Sequence, residues 1–501
     1  MVCEPSPINF KTLPTSILSD GRQGSVVEKG AFRQLDALQY GIPPNLRQSL
    51  NELPETLDES RESYDQALNG INKALKKNVH CLLQCVAVAV RPLLVKEFAE
   101  LLAFDFQAST EGGIPTLKGD WHWDNQEEAI LSTCSGLIAI IPSHGYRVVQ
   151  FSYSSVREYL TSSRLAQSPH GSVSRFHIDL EPAHTTMAQA CLATMLLLDE
   201  STSNSDAKMS PLVQYAAEHW VEHAQIENVS SRVQGGMDDL FDSSKPHFAA
   251  WLRVHDMDEH WTALSPSTRS SVGSPLYYAA FCGFYDLVER LIMKHPEQVN
   301  ERGGYCLFPL PAALSKSHFH VADLLYRHGA VVDFQGDYKT TPLFAASFRG
   351  QVDIMRWLLN HGADANARSN YSFTPLFEAV SRMHPEALQV LFDHNADINS
   401  QNFEGKTPLY YVLSNYSSKC GFVDMVRQLL ELGADPNICA NDYATPLHEA
   451  SSRGLLEVAR LLLSHGAKVN EEDKEGKTPF QVAASDEMTS LLLEHGTVPQ
   501  T

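Results

Sequence analysis

The chain has 501 residues, 43% of them apolar and 20% charged, which is ordinary for a globular protein with room for more than one domain. A net charge of -21 argues against a chain whose main task is to coat nucleic acid or an anionic membrane. Nine scattered cysteines without a CxxC pair suit a reducing compartment, and no run of roughly 20 apolar residues offers a membrane span. The opening Met1-Val-Cys-Glu-Pro-Ser-Pro lacks the basic-then-apolar design of a secretory signal, so the expected address is the cytoplasm, with the nucleus as the alternative.

Residues 1–30 mix Pro, Ser and Gly without a sustained period and read as a poorly ordered tail. Gly21-Arg-Gln-Gly-Ser-Val-Val-Glu-Lys-Gly30 fails as a phosphate loop, because Lys29 is followed by glycine and no strand precedes it. A helical section starts at Phe32, breaks at Pro43-Pro44, and continues with Leu57, Tyr64, Leu68 and Ile71 as one buried stripe. Cys81–Val90, ended by Pro92, and Val95–Ala103 are predicted core helices. Trp121-His-Trp-Asp then leads into a helix over Asn125–Cys134. Strands Gly136–Ile141 and Tyr146–Phe151, joined by Pro142-Ser-His-Gly145, form a hairpin, and Ser154–Leu160 opens a further helix. Three helices followed by a two-stranded wing is a winged-helix order.

From Ser274 onward one pattern returns. Ser274-Pro-Leu, Phe308-Pro-Leu, Thr341-Pro-Leu, Thr374-Pro-Leu, Thr407-Pro-Leu, Thr445-Pro-Leu and Thr478-Pro-Phe place prolines at steps of 34, 33, 33, 33, 38 and 33. Thr caps a helix, Pro is pre-set for its first turn, and the apolar residues that follow line one face. A second helix such as Val352–Leu359 or Leu456–Leu463 stops at a residue that tolerates positive φ: Gly329, Gly362, Asn395, Gly433, Gly466 or Gly496. A helix pair this short cannot bury its own apolar face, so the units must stack. Pro311 is expected to interrupt the first helix of the second unit.

These units resemble ankyrin repeats; His361-Gly-Ala-Asp-Ala-Asn366 followed by Thr374-Pro-Leu is close to that family's consensus, and the resemblance covers roughly 230 of 501 residues. The usual turn glycine is present at Gly405 and Gly476 but replaced by Lys339, Ser372 and Tyr443, and the fifth unit carries five extra residues near Asn415–Cys420. Upstream, Leu53-Pro-Glu-Thr-Leu-Asp-Glu, Leu83-Gln-Cys-Val-Ala-Val-Ala-Val-Arg-Pro and Val149-Gln-Phe-Ser-Tyr-Ser-Ser-Val-Arg-Glu-Tyr-Leu160 look like the segment that follows the nucleotide-binding domain of fungal NACHT–ankyrin proteins. That resemblance implies an NLR-like protein without its NTPase. The expected architecture is mainly α: a tail (1–30), a helical remnant (31–78), a winged-helix-like domain with a small β-hairpin (79–168), a helical connector (169–265) and an α-solenoid of about seven ankyrin repeats (266–501).

No catalytic, cofactor or metal residue is nominated. His328, His361, His394, His465 and His495 fall just before the helix-ending residues, where capping explains them. His448-Glu449 lacks the second histidine of a zincin, Cys81 and Cys85 read as buried thiols, and no G-x-S-x-G elbow supports a hydrolase. The winged-helix stretch from His80 to Arg164 has six Lys/Arg against nine Asp/Glu, a net of -3, which disfavours DNA. Trp121, Trp123, Trp220, Trp251 and Trp261 are expected to pack between the winged helix and the repeats. The expected function is non-catalytic protein–protein recognition; the alternatives are a nucleotide or lipid-anchor hydrolase and a ubiquitin-ligase adaptor. Partner-binding candidates are a groove column of Lys316, Arg349, Arg382 and Arg453, running from Cys282 through Asn415 or Tyr416 to Asp486, which would face an acidic segment. The turn residues Tyr338, Lys339, Tyr371, Phe373, Phe403 and Tyr443 complete the set.

Overall fold

The computed structural model describes residues 57–73, 75–106, 114–117, 125–134, 136–168, 171–199, 210–255, 257, 272–416 and 420–496. The tail, the Phe32 segment, the Pro43-Pro44 break, Trp121, Trp123 and Trp261 lie outside them. The chain divides into two compact units, Met1–Asp256 and Met257–Thr501.

In the first unit, helices Leu57–Gly70, Lys76–Val88 and Val95–Leu102 precede helix Gln126–Cys134 and the hairpin of β4 (Ile138–Ser143) and β5 (Tyr146–Phe151). The predicted stripe is real at Leu68 and Ile71, both buried. The hairpin turn is shorter than expected: Pro142 and Ser143 pair with Arg147 and Tyr146, and the chain reverses at His144-Gly145, both at positive φ. A two-residue strand, β1 (Leu93–Leu94), adds a third member by pairing with Val149 and Val148 of β5. It is too short, between Pro92 and the next helix, to leave a period in the sequence. A second small antiparallel pair joins β2 (Phe104–Asp105) to β3 (Thr116–Leu117).

Helices Leu180–Met195 and Pro211–Ala224 pack on each other, and the first of them packs on Lys76–Val88. Thr186 Oγ1 donates to Gln84, Ser210 and the Leu212 amide donate to Glu100, and the Val90 amide donates to the Tyr215 hydroxyl. The stretch read as a connector is therefore half of this unit's core. Trp220 and Trp251 correct the sequence expectation in the same sense. Their rings lie 5.4 Å apart, close to Phe241, inside the first unit, and the Trp251 indole donates to the Ala217 carbonyl.

The second unit is a stack of two-helix units. First helices run Pro275–Cys282, Pro309–Ser315, Pro342–Arg349, Pro375–Ser381, Pro408–Tyr416 and Pro446–Ser452; second helices run Tyr285–Lys294, Phe319–Arg327, Val352–Asn360, Pro385–Asp393, Phe422–Glu431 and Leu456–Ser464. The Ser274 and Thr341 hydroxyls accept the Tyr277 and Phe344 amides, as N-caps should. Pro311 does not interrupt its helix. It occupies the first turn, where amide groups have no partner within the helix, so the missing N–H costs nothing. The seventh unit has turns where its first helix was expected and keeps only Asp486–Glu494.

Candidate functional site

Lys316, Arg349, Arg382 and Arg453 all occur seven residues after their unit's proline (309, 342, 375 and 446), at the end of a first helix, and all four are exposed. The residue before that position belongs to the site as well. Lys316 Nζ lies 4.8 Å from the centroid of Phe281, and the Arg382 guanidinium lies 3.8 Å from that of Phe348. Both rings come from the preceding unit, six residues after its proline, so each cation is laid on the neighbour's aromatic face. Sequence reading missed Phe281 and Phe348, which share one repeat position, six residues after a proline, in the first and third units; serine holds that position at 315, 381, 414 and 452.

Two members of the column differ from expectation. Arg453 is engaged: its Nε meets Glu449 at 3.0 Å and its Nη1 donates to the Leu413 carbonyl at 2.8 Å, so it ties the sixth unit to the fifth. Asp486 is the first residue of a second helix and leaves the column, because only seven residues separate it from Pro479 where ten separate Pro446 from Leu456. Asn415 is exposed at the end of its helix, with its amide turned back on Tyr411 and Ser414. Burial raises the Glu378 carboxyl above the usual range, an effect that Arg382 opposes. Lys316, Arg349 and Arg382 belong to the second, third and fourth units.

The turns between units form a ribbon. Each closes on itself, as in Ser369 N to Phe373 O at 2.9 Å and Asn402 N to Lys406 O at 3.0 Å. Successive tips then join: Asn370 N to Tyr338 O, Phe403 N to Tyr371 O, Asn441 N to Glu404 O and Lys474 N to Asp442 O. Lys339, Ser372 and Tyr443 hold positive φ at the place where Gly405 and Gly476 hold it, and Tyr338 does so as well. Tyr338, Tyr371, Phe403 and Tyr443 are each more than half exposed, and the rings of Tyr371 and Phe403 are 6.0 Å apart. Lys339 is exposed beside Tyr338. Phe373 is not a tip anchor: it is half-buried, 5.2 Å from both Phe377 and Tyr411, and serves as packing between units.

On another edge, asparagine side chains clip units to their successors. Asn300, Asn366, Asn399 and Asn437 donate to the carbonyls of Gly329, Asn395, Gly433 and Gly466 and accept the amides of Val331, Asp397, Asp435 and Lys468. Asn470 donates to Gly496.

The histidines have structural partners. His361, His394, His465 and His495 each use Nδ1 on the carbonyl four residues earlier. His448 is buried, with Nδ1 at the Thr445 amide and hydroxyl and Nε2 at the Lys477 carbonyl. Burial raises both thiols of the Cys81 and Cys85 pair, Cys81 to about 11, which keeps them neutral. Among the described residues no cluster of three or more His, Cys, Asp or Glu side chains could hold a metal, and no helix is long and apolar enough to cross a membrane.

Residues 276–369, 310–402, 368–438 and 413–501 match the family model described as ankyrin repeats (3 copies), and residues 65–172 match that of the winged helix domain of GPI inositol-deacylase. The 2-5A-dependent ribonuclease of Mus musculus is 48% identical over 64 residues, 13% of this chain and 9% of that protein. Ankyrin repeat and SOCS box protein 11 of Danio rerio is 42% identical over 74 residues, 15% of this chain and 25% of that protein. The chain thus spans a quarter or less of the length of these relatives. The crystal structure of the ankyrin repeat domain of Bcl-3 aligns with a TM-score of 0.41 at 27% identity, covering 45% of this chain and all of that one.

Proposed function

Starting from residues 276–501 as an ankyrin-repeat array, we propose that the protein is a non-catalytic scaffold whose groove holds an acidic segment of a protein partner. The observation that carries this reading is the column of Lys316, Arg349 and Arg382, exposed at equivalent positions of three consecutive units in a chain of net charge -21. Packed helices stand about 10 Å apart, so the column offers cations at a spacing suited to carboxylates on a helix or strand laid across the units. Guanidinium groups are suited to bidentate carboxylate contacts. The exposed tips Tyr338, Tyr371, Phe403 and Tyr443 would add aromatic anchors for the partner.

The order of winged helix, helical body and repeats supports a place in NLR-like signalling or regulation, the setting implied by the resemblance to NACHT–ankyrin proteins. A cytoplasmic protein fits that setting. The winged-helix match supplies no hydrolase chemistry of its own, since the sequence has no nucleophile elbow.

The test is fluorescence anisotropy of labelled acidic and neutral peptides on the full chain and on the double variant Arg349→Glu with Arg382→Glu. Acidic peptides should bind the natural chain more tightly at low than at physiological salt and lose at least about tenfold in affinity to the variant. Equal affinity in a double variant with an unchanged melting profile sinks the reading.

A further inference from the structure

One clip in the ladder is chemically different. Where the first, third, fourth, fifth and sixth units place Asn300, Asn366, Asn399, Asn437 and Asn470, the second places Asp333. Half of the clip is intact, because Asp333 Oδ2 accepts the Asp364 amide at 2.8 Å, as asparagine oxygens accept Asp397 and Asp435 elsewhere. The other half has no donor: Oδ1 is buried without a hydrogen-bond partner. By register, the acceptor this half would reach is the Gly362 carbonyl, the counterpart of Asn395, Gly433 and Gly466. A carboxylate set against a carbonyl places two acceptors together, whereas a carboxylic acid has the one proton needed to join them.

We propose that the joint between the second and third units is a protonation-dependent hinge, in which neutral Asp333 donates through Oδ1 to the Gly362 carbonyl and ionised Asp333 leaves that half of the clip open. The proton comes from solvent and returns to it. Burial raises the Asp333 carboxyl, the hydrogen bond from the Asp364 amide opposes this, and the Asp364 carboxylate adds to it. Across the same joint, Asp323 faces Trp357 Nε1 at 2.7 Å and His361 Nε2 at 3.5 Å. The joint lies between the units that carry Lys316 and Arg349.

The experiment is hydrogen exchange by mass spectrometry on the full chain, following peptides that contain residues 361–366, for the natural protein and Asp333→Asn at each pH. Comparison at one pH cancels the intrinsic chemistry of exchange. At pH 7 the natural protein should exchange in this segment about tenfold faster than Asp333→Asn, the size expected for one hydrogen bond. The ratio should fall towards one as the pH drops to about 4, where aspartate side chains take up protons. A ratio that does not change with pH overturns the hinge. Asp333→Ala, which can make neither half of the clip, should exchange fast throughout; if it matches the natural protein at the acid end, the proposal also fails. His361→Gln should leave the pH dependence of the ratio in place, and loss of that dependence would reassign it to the Asp323–His361 contact.

Discussion

At the scale of single residues, the turn position that alternates between glycine and larger side chains carries strain. Ser372 sits at φ 59° where Gly405 sits at 74°. A non-glycine residue there costs roughly 1–2 kcal/mol, partly offset by the greater freedom of glycine in the unfolded chain. Ser372→Gly should therefore stabilise the protein by about 1 kcal/mol in denaturant titration; a loss of stability would mean that the serine side chain contributes more than its backbone costs. Trp357 is a different case. It is buried, stacked 3.9 Å from His361, edge-on to Tyr326 and bonded to Asp323 of the preceding unit. Trp357→Ala should cost about 3–5 kcal/mol, and a loss below about 1 kcal/mol would contradict its burial.

At the scale of the element, what was legible in the sequence followed from fixed spacing. A proline every 33 residues, with a capping hydroxyl before it and a left-handed residue after the second helix, defines a unit because each signal has its own local cause. The cation column was legible by the same rule. Its aromatic plates were not, since Phe281 and Phe348 pair with residues 35 and 34 positions away, and no local period marks a contact between neighbouring units. The seventh unit misled because its proline kept step while the following helix was cut short; the distance to Asp486 held the warning. Asparagine clips were equally silent, although each ties two units together. Asn437→Ala removes one donor and one acceptor at the joint of the fifth and sixth units and should cost about 1 kcal/mol. The loss should appear as faster exchange around Gly466, and unaltered protection there would show that packing alone holds the joint.

At the scale of the whole molecule, the two units should answer to different conditions. In the first, the buried His223 bonds Tyr215 at 3.0 Å and His184 at 2.9 Å, and burial, then His184 and His219, lower it to about 3. Burial also lowers His184. A histidine held neutral when folded takes up a proton on unfolding, so stability is full above the unfolded value near 6.5 and declines as the pH falls from there towards 3. Through His223 the first unit should lose up to about 1.4 kcal/mol per pH unit in that window, and His223→Gln should flatten the slope. In the second unit, cutting after Ser400 uncovers Phe373 and Phe377, which now meet Tyr411; the shortened stack should aggregate or melt earlier. A soluble truncation that melts at the full-length temperature would show the units to be independent. From the third unit onward, neighbours are fastened twice, by a tip-to-tip backbone bond and by an asparagine clip. Pulled from its ends, such a stack behaves as a spring with paired fasteners: stretching one edge loads the other, and extension proceeds by release of whole units. Under rising force the joint at Asp333, with half its clip open, should yield first, and the point of first yield should move to another joint in Asp333→Asn.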